Sequence, residues 1–335
     1  MKSRLISAVA FALALGAFQT QAEVIIAGDI AIGVNPEGHL NSSVGGVAVN
    51  GGSGSPTTTG IAYSGIDGLF RDATSPGCFC EGWGVSATSG GGSVTGHANR
   101  AVGGVVNLSV DSFVATPTSI TSEVSLSSTP GISVTHEYAA SADTDRLFEV
   151  VVTIANDTGA DIDDVRYVRV MDWDVPLTEF REFVTIGGTA TTTLLERSHD
   201  DGFDNPNPLL VTPPRTAGTL DVDFEDVGPS DHGAYFKFNF GTIADGDEFT
   251  FRIFYGAAAT EAEADAALAA AGIELFSYGQ SSPPTGDPTL GTPATYIFGF
   301  SGVGGTPVIP VSEPGTIALL GVGLLALSLR RRKAS

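Results

Sequence analysis

Ala234-Tyr235-Phe236-Lys237-Phe238-Asn239-Phe240, followed by Gly241-Thr242-Ile243-Ala244-Asp245-Gly246-Asp247 and then Glu248-Phe249-Thr250-Phe251-Arg252-Ile253-Phe254-Tyr255, is the stretch that decides the fold class. On both sides of the Asp245-Gly246 pair, aromatic residues recur at every second position, the period of a strand with one buried face. Asp-Gly is turn chemistry, so the pattern predicts a β-hairpin. A second strand, turn and returning strand lies upstream: Arg146 to Ile154 is dense in residues suited to a pleated, half-buried surface, Asn156-Asp157-Thr158-Gly159 turns, and Val165 to Val175 resumes. It too predicts a hairpin. Further out, Ile132-Ser133-Val134-Thr135-His136 alternates cleanly, and from Val24 to Tyr138 short apolar segments are broken by Gly, Ser and Thr, with Asn50 to Thr59 a loop. Gly and Pro supply 61 of the 335 residues with no long low-complexity tract, which means frequent chain reversal.

One helix interrupts the strands. Thr260-Glu261-Ala262-Glu263 has the spacing of a capping box, an Ala-rich run follows, and Gly272 is a natural terminator, so a helix is expected over 261–271. One short helix among many turn-punctuated strands argues for a mainly β fold, an antiparallel β-sandwich over residues 23–300 with room for a division into two β subdomains near 130–140.

The two ends have their own logic. Lys2 and Arg4, the apolar Leu5 to Phe18 and the small-residue site ending at Ala22 have the layout of a signal peptide, residues 1–22, cut after Ala22 by signal peptidase. At the other end a Gly/Pro linker, 301–310, leads into Val311-Ser312-Glu313-Pro314-Gly315-Thr316, then an apolar run over 316–329, then Arg330-Arg331-Arg332-Lys333. Fourteen residues rise only about 21 Å as a helix against a hydrocarbon core of about 30 Å. The basic cluster holds the chain end on the cytoplasmic side.

This order of parts resembles the PEP-CTERM sorting signal, typically V-P-E-P-S-T before a Leu-, Ala- and Gly-rich transmembrane helix and an Arg-rich end. The chain departs from it at Ser312 and Gly315. The stretches IAIGVNPEGHLN (30–41), GCFCEGWGVS (77–86), VRYVRVMDWDV (165–175), DHGAYFKFNFG (231–241) and FRIFYGAAATEAEA (251–264) also resemble the bodies of uncharacterised secreted PEP-CTERM proteins. The resemblance implies an exosortase as partner, export through the inner membrane of a Gram-negative bacterium, a transient C-terminal anchor at 311–335, and delivery of the body to the cell surface or extracellular matrix. It implies no known activity.

Without the signal, Glu313 and the terminal cations, the chain holds 10 Lys and Arg against 37 acids, a body charge of about −27. Such a polyanion repels phosphates, which excludes nucleic acid as a partner and makes anionic membrane surfaces poor ones. Exopolysaccharide or other matrix components fit better. Five histidines remain, His39, His97, His136, His199 and His232, none in a zinc-peptidase spacing or beside a nucleophile elbow, so no catalytic residue is assigned and a non-enzymatic role is expected. Cys78 and Cys80 can close a local disulfide, pair between chains or stay as thiols; the local disulfide is expected, because flanking glycines permit the sharp backbone. Acidic clusters recur at Asp161, Asp163 and Asp164, at Asp172 and Asp174, at Asp200, Asp201 and Asp204, and at Asp221, Asp223, Glu225 and Asp226. No EF-hand or nonapeptide-repeat spacing is present, so no cofactor is expected beyond calcium, for which Asp200, Asp201 and Asp204 are the first choice. The reading is an exported, surface or exopolysaccharide-associated structural or adhesive protein; a secreted carbohydrate-binding module is the alternative, and a secreted hydrolase a lesser one.

Overall fold

The structure is a computed structural model that describes residues 23–50 and 55–309. The signal peptide, the sorting motif and the apolar segment 316–329 lie outside the described residues. Among those described, no helix is long and apolar enough to cross a membrane.

The described residues are mainly β, with three antiparallel sheets and one α-helix. Nine strands form the largest sheet in the spatial order Phe224–Ser230, Glu182–Gly187, Leu275–Gln280, Thr295–Ser301, Glu248–Ala258, Leu147–Asn156, Thr129–Ala140, Ser119–Leu126 and Leu108–Ala115. Six form the second, Leu195–His199, His232–Ile243, Ile162–Trp173, Gly82–Ser89, Gly92–Asn99 and Val105–Val106. A small sheet of Glu23–Ala27, Ile30–Val34, Ile61–Tyr63 and Arg71–Asp72 packs onto the same core, with Tyr63 edge-on to Tyr296 at 6.4 Å. Thr129–Ala140, which spans the place of the expected subdomain division, is hydrogen-bonded to a neighbour on each edge.

The two large sheets face each other across one apolar layer. Phe236 and Phe238 of the six-stranded sheet meet Phe298 and Phe300 of the nine-stranded one at centroid separations of 4.9–5.6 Å. Truncating such a buried ring costs about 3–5 kcal/mol.

Both expected hairpins are corrected by this packing. His232–Ile243 pairs with Ile162–Trp173 and Leu195–His199, whereas Glu248–Ala258 pairs with Leu147–Asn156 and Thr295–Ser301. The Ala244–Asp247 turn therefore carries the chain from one sheet to the other. The two strands meet through side chains, Phe240 on Phe249 at 4.3 Å and on Phe251 at 5.1 Å, instead of through a hydrogen-bond ladder. The same holds upstream, where Leu147–Asn156 and Ile162–Trp173 belong to opposite sheets. In each case a period of two reports correctly that one face is buried, but burial against the opposite sheet satisfies it as well as hairpin pairing does.

The helix runs Glu261–Ala270. The Thr260 hydroxyl accepts from the Glu263 amide at 3.2 Å, and the Glu263 carboxylate reaches back to the Ala259 amide at 3.4 Å, one residue beyond the expected position. Gly272 follows with φ of +64°, where a Cβ would be strained.

Candidate functional site

The strand Ile162–Trp173 organises the chemistry of the body, because its alternate side chains face different surroundings. Tyr167, Met171 and Trp173 join the core between the sheets, while Val168 and Val170 pack with Tyr235 on the other side. Arg169 is on the core side and fully buried, and four of its five N–H donors are used. Its Nε bonds the Glu81 carboxylate, its Nη1 donates to the Gly38 carbonyl at 3.1 Å and to the Tyr167 hydroxyl at 3.2 Å, and its Nη2 reaches the Tyr138 hydroxyl at 3.4 Å. Glu81 also accepts from the Leu40 amide at 2.6 Å and from the Tyr255 hydroxyl at 3.2 Å. Burial works against the arginine's charge, but Glu81 holds it well above its ordinary value. The network fastens the 35–40 loop to both large sheets.

The even-numbered side of the same strand ends differently. Asp172 and Asp174, two residues apart and hence on one face, each present an oxygen within 4.8 Å of one from Asp231, the residue at which the chain passes from the Phe224–Ser230 strand to His232–Ile243. Asp172 and Asp174 are buried and Asp231 is half-buried. Asp172 receives no hydrogen at either oxygen: Oδ1 has no partner, and Oδ2 lies 3.3 Å from the Sγ of Cys78, which is bonded to Cys80 and carries no proton. Asp174 accepts only the Gly77 amide, at 3.1 Å, and its Oδ1 is without a donor. A Cβ on Gly77 would lie 2.7 Å from the Phe180 ring and 2.8 and 2.9 Å from the two Asp174 oxygens, so only glycine fits against that carboxylate. Buried Glu182, from the nine-stranded sheet, accepts the His232 amide at 3.0 Å on Oε1 and nothing on Oε2. Removal from water is the main cause that pushes these carboxyls up, and the neighbouring acids add to it: Asp172 goes well above the usual carboxylate range, Asp174 to about 8 and Glu182 to about 9.

The acids singled out in the sequence for calcium are placed otherwise. Asp200 is buried and engaged internally: it accepts from the Arg215 and Thr216 amides at 3.0 Å and the Thr219 hydroxyl at 2.7 Å, and its Oδ2 meets His232 Nδ1 at 3.2 Å. Burial opposes its charge, yet bonds from His232, Thr216 and Thr219 hold the carboxyl well below the usual range. Asp201 caps the Phe203 amide at 3.0 Å, and Asp204 lies 3.4 Å from His199 Nε2. Among the described residues, these three do not form a group of ligand atoms within 4.8 Å of one another; the groups that do are Asp172, Asp174 and Asp231, and Cys78, Cys80 and Asp172. Cys78 and Cys80 are joined as a disulfide, with Cα atoms 5.2 Å apart.

His199 draws a hydroxyl and a carboxylate together, but in a geometry unsuited to proton relay. The Asp201 amide donates to Nδ1 at 3.2 Å, which places the ring proton on Nε2, the nitrogen that faces both Thr212 Oγ1 at 2.9 Å and Asp204. A nitrogen that bears the proton cannot take another from Thr212.

The exit toward the C-terminus is fastened to the body. Glu274 accepts the amides of Gly302, Val303 and Gly305 at 2.8–3.1 Å, and the Val308 amide donates to the Ile273 carbonyl at 2.7 Å. Residues 301–308, expected as part of a linker, thus run along the surface as a bonded neck.

Comparison with known protein families matches residues 310–333 to the PEP-CTERM protein-sorting motif. No curated protein and no solved structure matches the chain. The motif covers Val311 to Thr316, the apolar run and the Arg330 to Lys333 stop, and it establishes a protein exported and sorted at its C-terminus, with exosortase as the recognising partner.

Proposed function

We propose that the chain is a structural or adhesive component of the cell surface or of an exopolysaccharide matrix, presented there after processing at its C-terminal sorting signal. The observation that carries this reading is the sorting motif at 310–333, set directly after a β-rich body. The basic stop keeps the chain end inside, so export of the body leaves Glu313-Pro314 at the outer face of the inner membrane. Intact mass of the mature protein from a native host tests this. The expected species lacks residues 1–22 and the tail beyond the motif; a mature form that still carries 315–335 makes the tail a plain anchor. Replacing Glu313 and Pro314 with alanine leaves insertion intact and accumulates the full-length chain in the inner membrane.

A second reading, carbohydrate binding, is favoured by an open groove of about 470 Å³ whose lining includes Phe224, Phe276, Asp223, Glu225 and Glu261. Aromatic faces beside carboxylates suit a sugar's apolar and hydroxylated sides. A glycan array with the native chain and Phe276→Ala separates the two readings: a glycan retained by the first and lost by the second supports binding, and a blank array supports the scaffold.

A further inference from the structure

We propose that Asp172, Asp174 and Asp231 form a calcium-binding site. Three carboxylate oxygens from two separate segments converge within 4.8 Å of one another, close enough to share one ion. The independent observation is the state of Asp172, which is 1% exposed, points into this group and receives no hydrogen at either oxygen from any described residue. A buried carboxylate without donors costs several kcal/mol unless a cation or a proton meets it. Two other buried carboxylates among the described residues are matched by donors. Glu81 has Arg169, and Asp200 has three donors and His232.

Ligand chemistry selects the ion. The disulfide removes the Cys78 and Cys80 sulfurs as thiolates, so the remaining donors are hard oxygens, which suit calcium over zinc or copper. Calcium takes six to eight oxygens in irregular arrangements, whereas magnesium needs a small octahedron and gives up its waters reluctantly. Asp231 is half-buried, with its Oδ1 shielded from water and without a partner, and only a glycine fits at residue 77 between Asp174 and the Phe180 ring. The inference does not depend on the fate of the tail; export adds only that the site meets the external medium.

The test uses the full-length chain in detergent, stripped of metal by a chelator, dialysed, and titrated with calcium chloride by isothermal titration calorimetry. The expected result is one ion per chain, binding at least tenfold weaker in Asp172→Asn and in Asp231→Asn, and unchanged in Asp143→Asn, which alters an exposed acid elsewhere. Should Asp172→Asn fail to fold, the half-buried Asp231→Asn carries the decision. Magnesium chloride in place of calcium is expected to bind at least tenfold more weakly, and equal affinity would overturn the choice of ion. Absence of a calcium site, which leaves the cluster as protonated acids, overturns the proposal. So do multiple weak sites that neither substitution affects.

Discussion

One strand, Ile162–Trp173, carries a buried cation on its core side and, at its end, a pair of buried acids on the other, and the two are provisioned in opposite ways. Arg169 meets a carboxylate, a carbonyl and two phenols. Asp172, three residues on, meets a disulfide sulfur and other acids. The contrast teaches that this fold can match an internal charge with protein groups. Where it does not, the partner is best sought outside the chain.

The comparison is sharpened most by breaking the matched side. Arg169→Met leaves Glu81 buried and uncompensated, and is expected to cost about 3–5 kcal/mol in urea unfolding. Arg169→Met combined with Glu81→Leu should recover most of that loss. A single substitution without effect would mean that the pair is not the clamp described.

The unmatched side should respond with the opposite sign. In chelator, Asp172→Asn removes a donorless carboxyl and supplies an amide that can donate to its neighbours, so unfolding should become harder by about 1–3 kcal/mol. Loss of stability in chelator would erase the contrast between the two sides.

Acid should find the matched side through its histidines. His39 and His136 are buried, and burial first, then Arg169, lowers both: His39 to about 3 and His136 well below its ordinary value. Glu37, 3.9 Å from His39 and a quarter exposed, does not offset this, and His136 faces Trp83, Tyr138 and Tyr167. Because the folded values are depressed, the stability these rings contribute is complete above about 6.5 and lost as pH falls through the folded values, for His39 toward about 3. Each contributes a slope of up to about 1.4 kcal/mol per pH unit below 6.5. Denaturant unfolding of His136→Gln at pH 7, 6 and 5 should show a shallower fall than the native chain; parallel curves would contradict a neutral buried ring.

The smallest effect belongs to the neck. Glu274→Ala frees three amides and should cost about 1 kcal/mol. Hydrogen exchange should quicken at Gly302, Val303 and Gly305 while the central strands stay protected; unchanged exchange there would show that Glu274 does not hold the neck.

How much of this was legible in the sequence follows from what a periodic pattern reports. Alternation in Phe236, Phe238 and Phe240, and in Phe249 and Phe251, identifies strands and their buried faces correctly. It is silent on whether the neighbour is an edge partner or the opposite sheet, which is why both hairpins are instead crossings between sheets. The helix cap was legible because a capping box is local, with all its atoms within four residues. The acid cluster was half legible. Asp172 and Asp174 stand out as a pair, but Asp231 and Glu182 join them only through the fold, and the density of acids at 200–204 points to a loop whose first carboxylate is already hydrogen-bonded from within.

The central claim, that the unmatched carboxylates are built for a cation, is tested most directly by diffraction from crystals of the chain grown with calcium and soaked with a lanthanide as an anomalous marker. The account predicts one strong ion peak about 2.3–2.6 Å from oxygens of Asp172, Asp174 and Asp231. An ordered cluster with no peak, or lanthanide bound only at exposed acids such as Asp161 and Asp163, would contradict it.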